Sequence, residues 1–173
     1  MKVINYISYM KYDEVLKYWF PNEEFNKFWF NKLKETDEYI RDNFNIYLSE
    51  IMNEDPVIFY NSDELLAKII VLDQFTRNIY RGSSRAYQND YKALDLAKKY
   101  FSLEYHVFNS INKIIFALMP FRHSENIEHQ KFVLNILKTL DNESNIYIKF
   151  YRASLKSYNI IKKYGKFPDR IKY

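Results

Sequence analysis

The residues best placed to do chemistry lie in the stretch VLDQFTRNIYRG, positions 71–82. Asp73 and Arg77 stand four apart, the spacing at which two side chains meet on one face of a helix. On a wheel advancing roughly 100° per residue, Leu65, Ile69, Leu72, Phe75 and Ile79 form an apolar arc, and Leu66 and Ile70 extend it past both charges. The pair therefore points inward. Tyr80 lies beside it, Arg81 just beyond the edge of the arc, and Gln74 and Asn78 flank it on the polar side. Buried ions cost several kcal/mol each unless they are paired and hydrogen bonded. Two readings stand: a structural ion pair that locks neighbouring helices, or the floor of a polar pocket whose charges serve a ligand.

A second polar cluster, MPFRHSEN at 119–126, places Arg122, His123, Ser124 and Glu125 between an apolar helix and the start of the next. A helix start presents unpaired N–H groups and a partial positive charge, which suit an anion, and Arg122 and His123 would reinforce it. His123 titrates near neutrality. With Glu125 it is the candidate general acid/base pair. The plainer alternative is that Ser124 caps the helix and Glu125 favours its dipole. Bidentate contacts from Arg77, with Arg81 or Arg85, would hold a phosphate or carboxylate. His106, His123 and His129 do not form the i, i+4 pair of a zinc helix. The spacing of Asp73, Asp90 and Glu125 does not argue for magnesium, so no metal and no cofactor is expected.

The elements that must position these residues follow from composition and period. The 173 residues are long enough for one domain with a sizeable core, and 47% hydrophobic content with 28% charge suits a soluble globular chain. There is no cysteine, which excludes disulfide and thiolate chemistry and points to a reducing compartment. No apolar run reaches membrane-spanning length and no secretory leader is evident, so a cytoplasmic protein is expected. The net charge of +4 is uneven: residues 1–86 carry 11 basic against 14 acidic side chains, and residues 87–173 carry 15 against 8. The basic excess near the C-terminus could attract a polyanion, or it is simply a solvated helix face.

Helical period dominates, with a doubtful alternation only in KVINYISY. A short helix over YDEVLKYWF should end before Pro21, and Asn22, with Glu23 and Glu24, should open a long one to about Met52. Another should run from Ser62 to Arg81 and stop at Gly82. Ser83 or Ser84 should cap the next, an apolar helix should end near Pro120, and Ser124 should begin another. A last helix from about Glu143 should stop at Gly165. The expectation is an all-α domain over 1–173 with about seven antiparallel helices.

The sequence resembles a family of small all-helical bacterial proteins with a tetratricopeptide-repeat-like fold. The resemblance is carried by EVLKYWF (14–20), FWFNKLKETDEYIRDNF (28–44), LLAKIIVLDQFTRNIYRGSSRAYQNDYKAL (65–94), ALMPFRHSENIEHQ (117–130) and IIKKYGKFPDR (160–170). It implies a fold and a set of polar positions, and no reaction. The positions are Asp73, Gln74, Arg77, Asn78, Arg81, Arg85, Asp90, His123, Ser124, Glu125, Gln130 and Arg170. The chain departs from the pattern at Thr76 (usually Pro), Arg122 (usually Met), Ser157 and Asp169 (usually His) and Ile171 (usually Asn). An activity that needs those histidines would be altered in this chain.

Three functions compete. The first is a pocket for a small anionic ligand, which could extend to catalysis, using Asp73, Gln74, Arg77, Asn78, Arg81, Arg85, Ser124 and Arg170, with His123 and Glu125 as acid and base. The second is a groove for a protein or peptide partner, suited to a chain rich in Tyr and Phe. The third is polyanion or nucleic-acid binding through the basic last helix, for which no recognition motif is present.

Overall fold

Helix is the conformation this chain can sustain, because two glycines and four prolines leave few interruptions. The structure, a computed structural model, describes residues 2–22, 26–54, 61–140 and 143–170, with side chains from Lys11 onward. Its helices are α1 (Lys2–Trp19), α2 (Lys34–Asn53), α3 (Ser62–Ile70), α4 (Thr76–Ile79), α5 (Asp90–Ser102), α6 (Ile111–His123), α7 (Ile127–Leu140) and α8 (Asn145–Tyr164). A π-helical turn, Val71–Phe75, joins α3 to α4, so those two are one rod. The fold is therefore all-α, with seven helical rods and no strand among the described residues. KVINYISY, the candidate strand, lies within α1.

The α3–α4 rod is the centre of the molecule. Every residue from 65 to 76 is buried. α1, α5 and α6 pack on α3, α2 packs on α4 and the π turn, and α7 and α8 complete the bundle on α6. Gln74 and Asn78 are buried with the rest. A helix covered on all sides has no polar face, so the wheel misplaces them.

The core beside this rod is aromatic. Trp19 meets Phe75 and Phe116 with ring centroids 5.4 and 5.3 Å apart, and Trp29 meets Phe116 at 5.0 Å. Trp29 Nε1 donates to the Trp19 carbonyl at 2.7 Å, which joins the short 3₁₀ turn Lys27–Trp29 to the end of α1. Farther along α6, Phe121 packs on Phe101 and Phe132.

Gly165 ends α8 in the left-handed conformation at φ 69°, and Gly82, at φ 83°, lies in the turn three residues past the end of α4. Other boundaries differ from expectation. α2 begins at Lys34, well past Asn22, and residues 23–25 lie outside the described residues. α5 begins at Asp90, after a 3₁₀ turn over Ser84–Tyr87. α6 does not end at Pro120 but runs through it to His123. Proline removes one donor and crowds the preceding turn; burial of Ala117, Leu118, Met119 and Phe121 outweighs that cost and carries the helix on. No helix among the described residues is long and apolar enough to cross a membrane.

Candidate functional site

The three residues that α6 adds after Pro120 bring His123 against the central rod. Asp73, in the π turn, is fully buried. A π turn widens the helix by one residue and is frequent at functional sites; in this one Thr76 N–H bonds back to the Val71 carbonyl. Asp73 Oδ1 accepts from His123 Nδ1 at 2.8 Å and from Arg77 Nη1 at 3.0 Å, and its Oδ2 accepts from Gln74 Nε2. Burial alone would raise the carboxyl's pKa, but Arg77 and His123 hold it well below the usual carboxylate range. Asp73 is an anion in the core, compensated on both oxygens.

Arg77 extends the network outward. Its Nη1 also reaches the Asp73 carbonyl at 2.8 Å, and Nη2 pairs with Asp90 at 2.9 Å. Arg170, in the segment after α8, approaches the same Asp90 at 3.4 Å and donates to the His123 carbonyl. Burial, aided by the charge of Asp73, pushes Asp90 up to about 6 against the pull of Arg77 and Arg170. Burial and the charge of Arg77 push His123 down to about 4, against Asp73. A hydrogen bond from Nδ1 to a carboxylate fixes the tautomer, so His123 is neutral near pH 7 with its lone pair on Nε2. That lone pair faces Arg122 Nη1 at 3.4 Å.

Arg77, His123 and Arg170 of this network line a cleft of about 790 Å³, whose basic lining residues are Lys32, Arg77, Arg81, Arg122, Lys156 and Arg170. Tyr87 and Phe167 contribute aromatic walls, Ser157 and Asp169 polar ones. The Arg77 side chain keeps 18% of its surface exposed, enough to meet a solute from the cleft.

The structure thus gathers Asp73, Gln74, Arg77, His123 and Arg170 into one network. It turns others elsewhere. Arg81 makes a two-pronged pair with Asp37, and Asn78 Nδ2 donates to the same carboxylate at 2.8 Å. Arg85 is exposed and stacks over the Tyr80 ring at 4.0 Å. Glu125 is not in contact with the His123 ring; its Oε1 accepts from Phe167 N–H at 2.8 Å and tethers the C-terminal segment. Ser124 does not begin α7. It follows the last residue of α6 and bonds His129 Nδ1 at 2.8 Å, while Asn126 caps α7 by accepting from Glu128 N–H. The helix start expected at Ser124 therefore lies two residues further on, at Asn126.

Asp37, Lys32 and Lys156 escape a reading that begins from residues 71–82, and Gln130 enters it only through the family resemblance. Asp37 stands in register with Ile40, Phe44 and Leu48 on the buried stripe of α2, so the same wheel applied to α2 would have found it. Gln130, fully buried, donates to the Arg122 and Ser124 carbonyls at 2.8 and 2.6 Å and satisfies the end of α6. Lys32 and Lys156 have no such signal, because only the folded chain brings them to the rim. No group of metal-ligating residues occurs among the described residues.

A solved structure described as a protein of unknown function, ATU0120, from Agrobacterium tumefaciens has the same fold. The TM-score is 0.75 at 21% identity, over 96% of this chain and 88% of that one. No curated protein matches the chain. The model of a bacterial protein family of unknown function (DUF924) matches residues 15–173, and the chain belongs to that family.

Proposed function

We propose that the chain binds a small anionic molecule in the cleft lined by Arg77, His123 and Arg170, with His123, held by the buried Asp73, able to exchange a proton with the bound solute. The observation that carries this reading is the lining: six basic side chains against the single carboxylate of Asp169. A concave basic surface focuses the field and concentrates anions. Asp73, Asp90 and Asp37 hold Arg77, Arg170 and Arg81 in place and offset their charge, which leaves Lys32, Arg122 and Lys156 as the lining cations outside those pairs. His123 lines the cleft and is oriented by Asp73 through Nδ1, which leaves Nε2, against Arg122, as its proton-accepting atom. The resemblance to tetratricopeptide-like arrays supports a groove, but the groove's chemistry is that of a small polar ligand.

The test is a thermal-shift titration with inorganic phosphate and citrate at low salt. Both should raise the melting temperature, and the gain should shrink as ionic strength screens the rim. Lys32 and Lys156 are exposed, so the double variant K32A/K156A should keep the melting temperature of the free protein and bind the anions several-fold more weakly. Wild-type protein indifferent to all anions at low salt would end the reading. A second reading, a protein-partner surface, is favoured by Leu103, Val107 and Phe108, of which Phe108 is 90% exposed.

A further inference from the structure

The arginines of the cleft are not equivalent. Arg77 is held by Asp73 and Asp90, Arg81 by Asp37, and Arg170 by Asp90. Arg122 has no carboxylate within ion-pair distance among the described residues. Its Nη1 lies 3.7 Å from Met119 Sδ and 3.4 Å from His123 Nε2, and its Nε is buried with no partner. The guanidinium sits 5.8 Å from the centre of the Phe150 ring, a weak compensation. The charge of Asp73 acts on Arg122 from beyond ion-pair distance, but that carboxylate already serves Arg77, His123 and Gln74. Arg122 is half-buried; a cation that loses water without an ion-pair partner is costly, and a guanidinium offers two parallel donors to a carboxylate or phosphate.

Arg122 also stands at a junction. Besides the basic cleft it lines a second hollow of about 670 Å³, walled by Phe30, Phe150 and Ala153, with Lys27, Asn31 and Lys149 in the same lining. Ala153 and Arg122 border both spaces. Phe30 is 45% exposed and stacks on Phe116. One space is lined mainly by charged side chains and the other by two aromatic rings together with Lys27 and Lys149, and an arginine outside any ion pair among the described residues stands where they meet.

We propose that Arg122 is the anchor for an amphiphilic anion, an aryl carboxylate or aryl phosphate, whose charged group lies in the basic cleft and whose flat apolar body lies between Phe30 and Phe150. This deepens the reading of the cleft as an anion site and rests on it. Arg122 is a specificity-determining residue: it selects a charge at the boundary between the two hollows. Its contact with His123 Nε2 is taken over by the ligand's charged group, which frees the imidazole to face the bound molecule.

The experiment compares inorganic phosphate, phenyl phosphate, benzoate and phenol by calorimetric titration and thermal shift, on wild type and on Arg122→Met, a substitution of similar length. Wild type should bind phenyl phosphate or benzoate at least roughly tenfold more tightly than it binds inorganic phosphate or phenol. R122M should lose at least roughly tenfold for the aryl anions and leave phenol unchanged. Without ligand, R122M should melt at a higher temperature than wild type, because a half-buried charge outside any ion pair is gone. An arginine with a merely structural role gives the opposite, a lower melting temperature, and that outcome overturns the proposal. Unchanged aryl-anion binding in R122M also overturns it. Inorganic phosphate binding as well as phenyl phosphate defeats the amphiphilic ligand while leaving the anion cleft intact; no stabilisation by any anion at low salt defeats both.

Discussion

Asp73, His123 and Asp90 show how one buried network sets opposite proton preferences on neighbouring groups. Asp90 faces Arg77, Asp73 and Arg170, and burial raises it to about 6 from the ordinary 3.8. His123 faces Arg77, Asp73 and Arg122, and burial lowers it from 6.5 to about 4. Between those values the folded chain keeps a proton on Asp90 that the unfolded chain has released, so this contribution to stability falls as pH rises from about 4 to 6. Over the same range the unfolded chain holds a proton on His123 that the folded chain lacks, so that contribution rises with pH. The two oppose each other, and wild type should show little net slope from this pair. Urea melts across pH 4 to 6 should separate them. In His123→Gln, Asp90 is unopposed and stability should fall with pH, while in Asp90→Asn, His123 is unopposed and stability should rise, each by about 2 kcal/mol across the interval. Slopes of the same sign in the two variants would contradict the assignment. Asp73, pushed the other way, adds stability that is lost only in stronger acid.

At the scale of elements, the sequence was most legible where a helix has one covered side. The wheel finds Asp73 and Arg77 as an inward pair, and they lie 3.0 Å apart. It fails for Gln74 and Asn78 because the central rod is packed on all sides, and period carries no information there. It could not place the pair against His123, because that contact spans 50 positions and depends on α6 continuing past its proline. The glycine stops at Gly82 and Gly165 were readable because only the left-handed conformation explains both. Ser124 misleads for a physical reason: two candidate caps stand two residues apart, and local propensity does not say whether Ser124 or Asn126 sits at the turn. What fixes the true end of α6 is a side chain from another helix. Gln130 Nε2 reaches the Arg122 and Ser124 carbonyls, which as the last acceptors of a helix have no partner within it. Gln130→Met keeps the volume and removes the donor. It should cost about 2 kcal/mol, the penalty for leaving buried carbonyls unsatisfied, and should weaken anion binding as well, because the end of α6 holds both Arg122 and His123. A urea midpoint unchanged from wild type would show that water replaces the amide.

At the scale of the molecule, the question is whether the aromatic core and the charged site form one cooperative unit. α6 connects them. Phe116 fills the space between Trp19, Trp29 and Phe20, and seven positions later on the same helix His123 bonds Asp73. The central rod makes the same link from its other side, because Phe75, in contact with Trp19 and Phe44, lies two residues from Asp73. Both tryptophans sit in the aromatic core, so their fluorescence reports that half, while far-UV circular dichroism reports all the helices. Phe116→Ala removes the ring that four aromatic neighbours enclose and should cost about 3 to 5 kcal/mol. If 1–173 is one domain, the fluorescence and dichroism transitions of this variant should shift together and still coincide, and anion binding should be lost only as the whole chain unfolds. If the fluorescence transition moves to lower urea while the dichroism keeps a later phase, the tryptophan cluster unfolds on its own. The charged floor would then stand on a separate unit of α5 to α8, and α6 would not be holding His123 in place through the aromatic core.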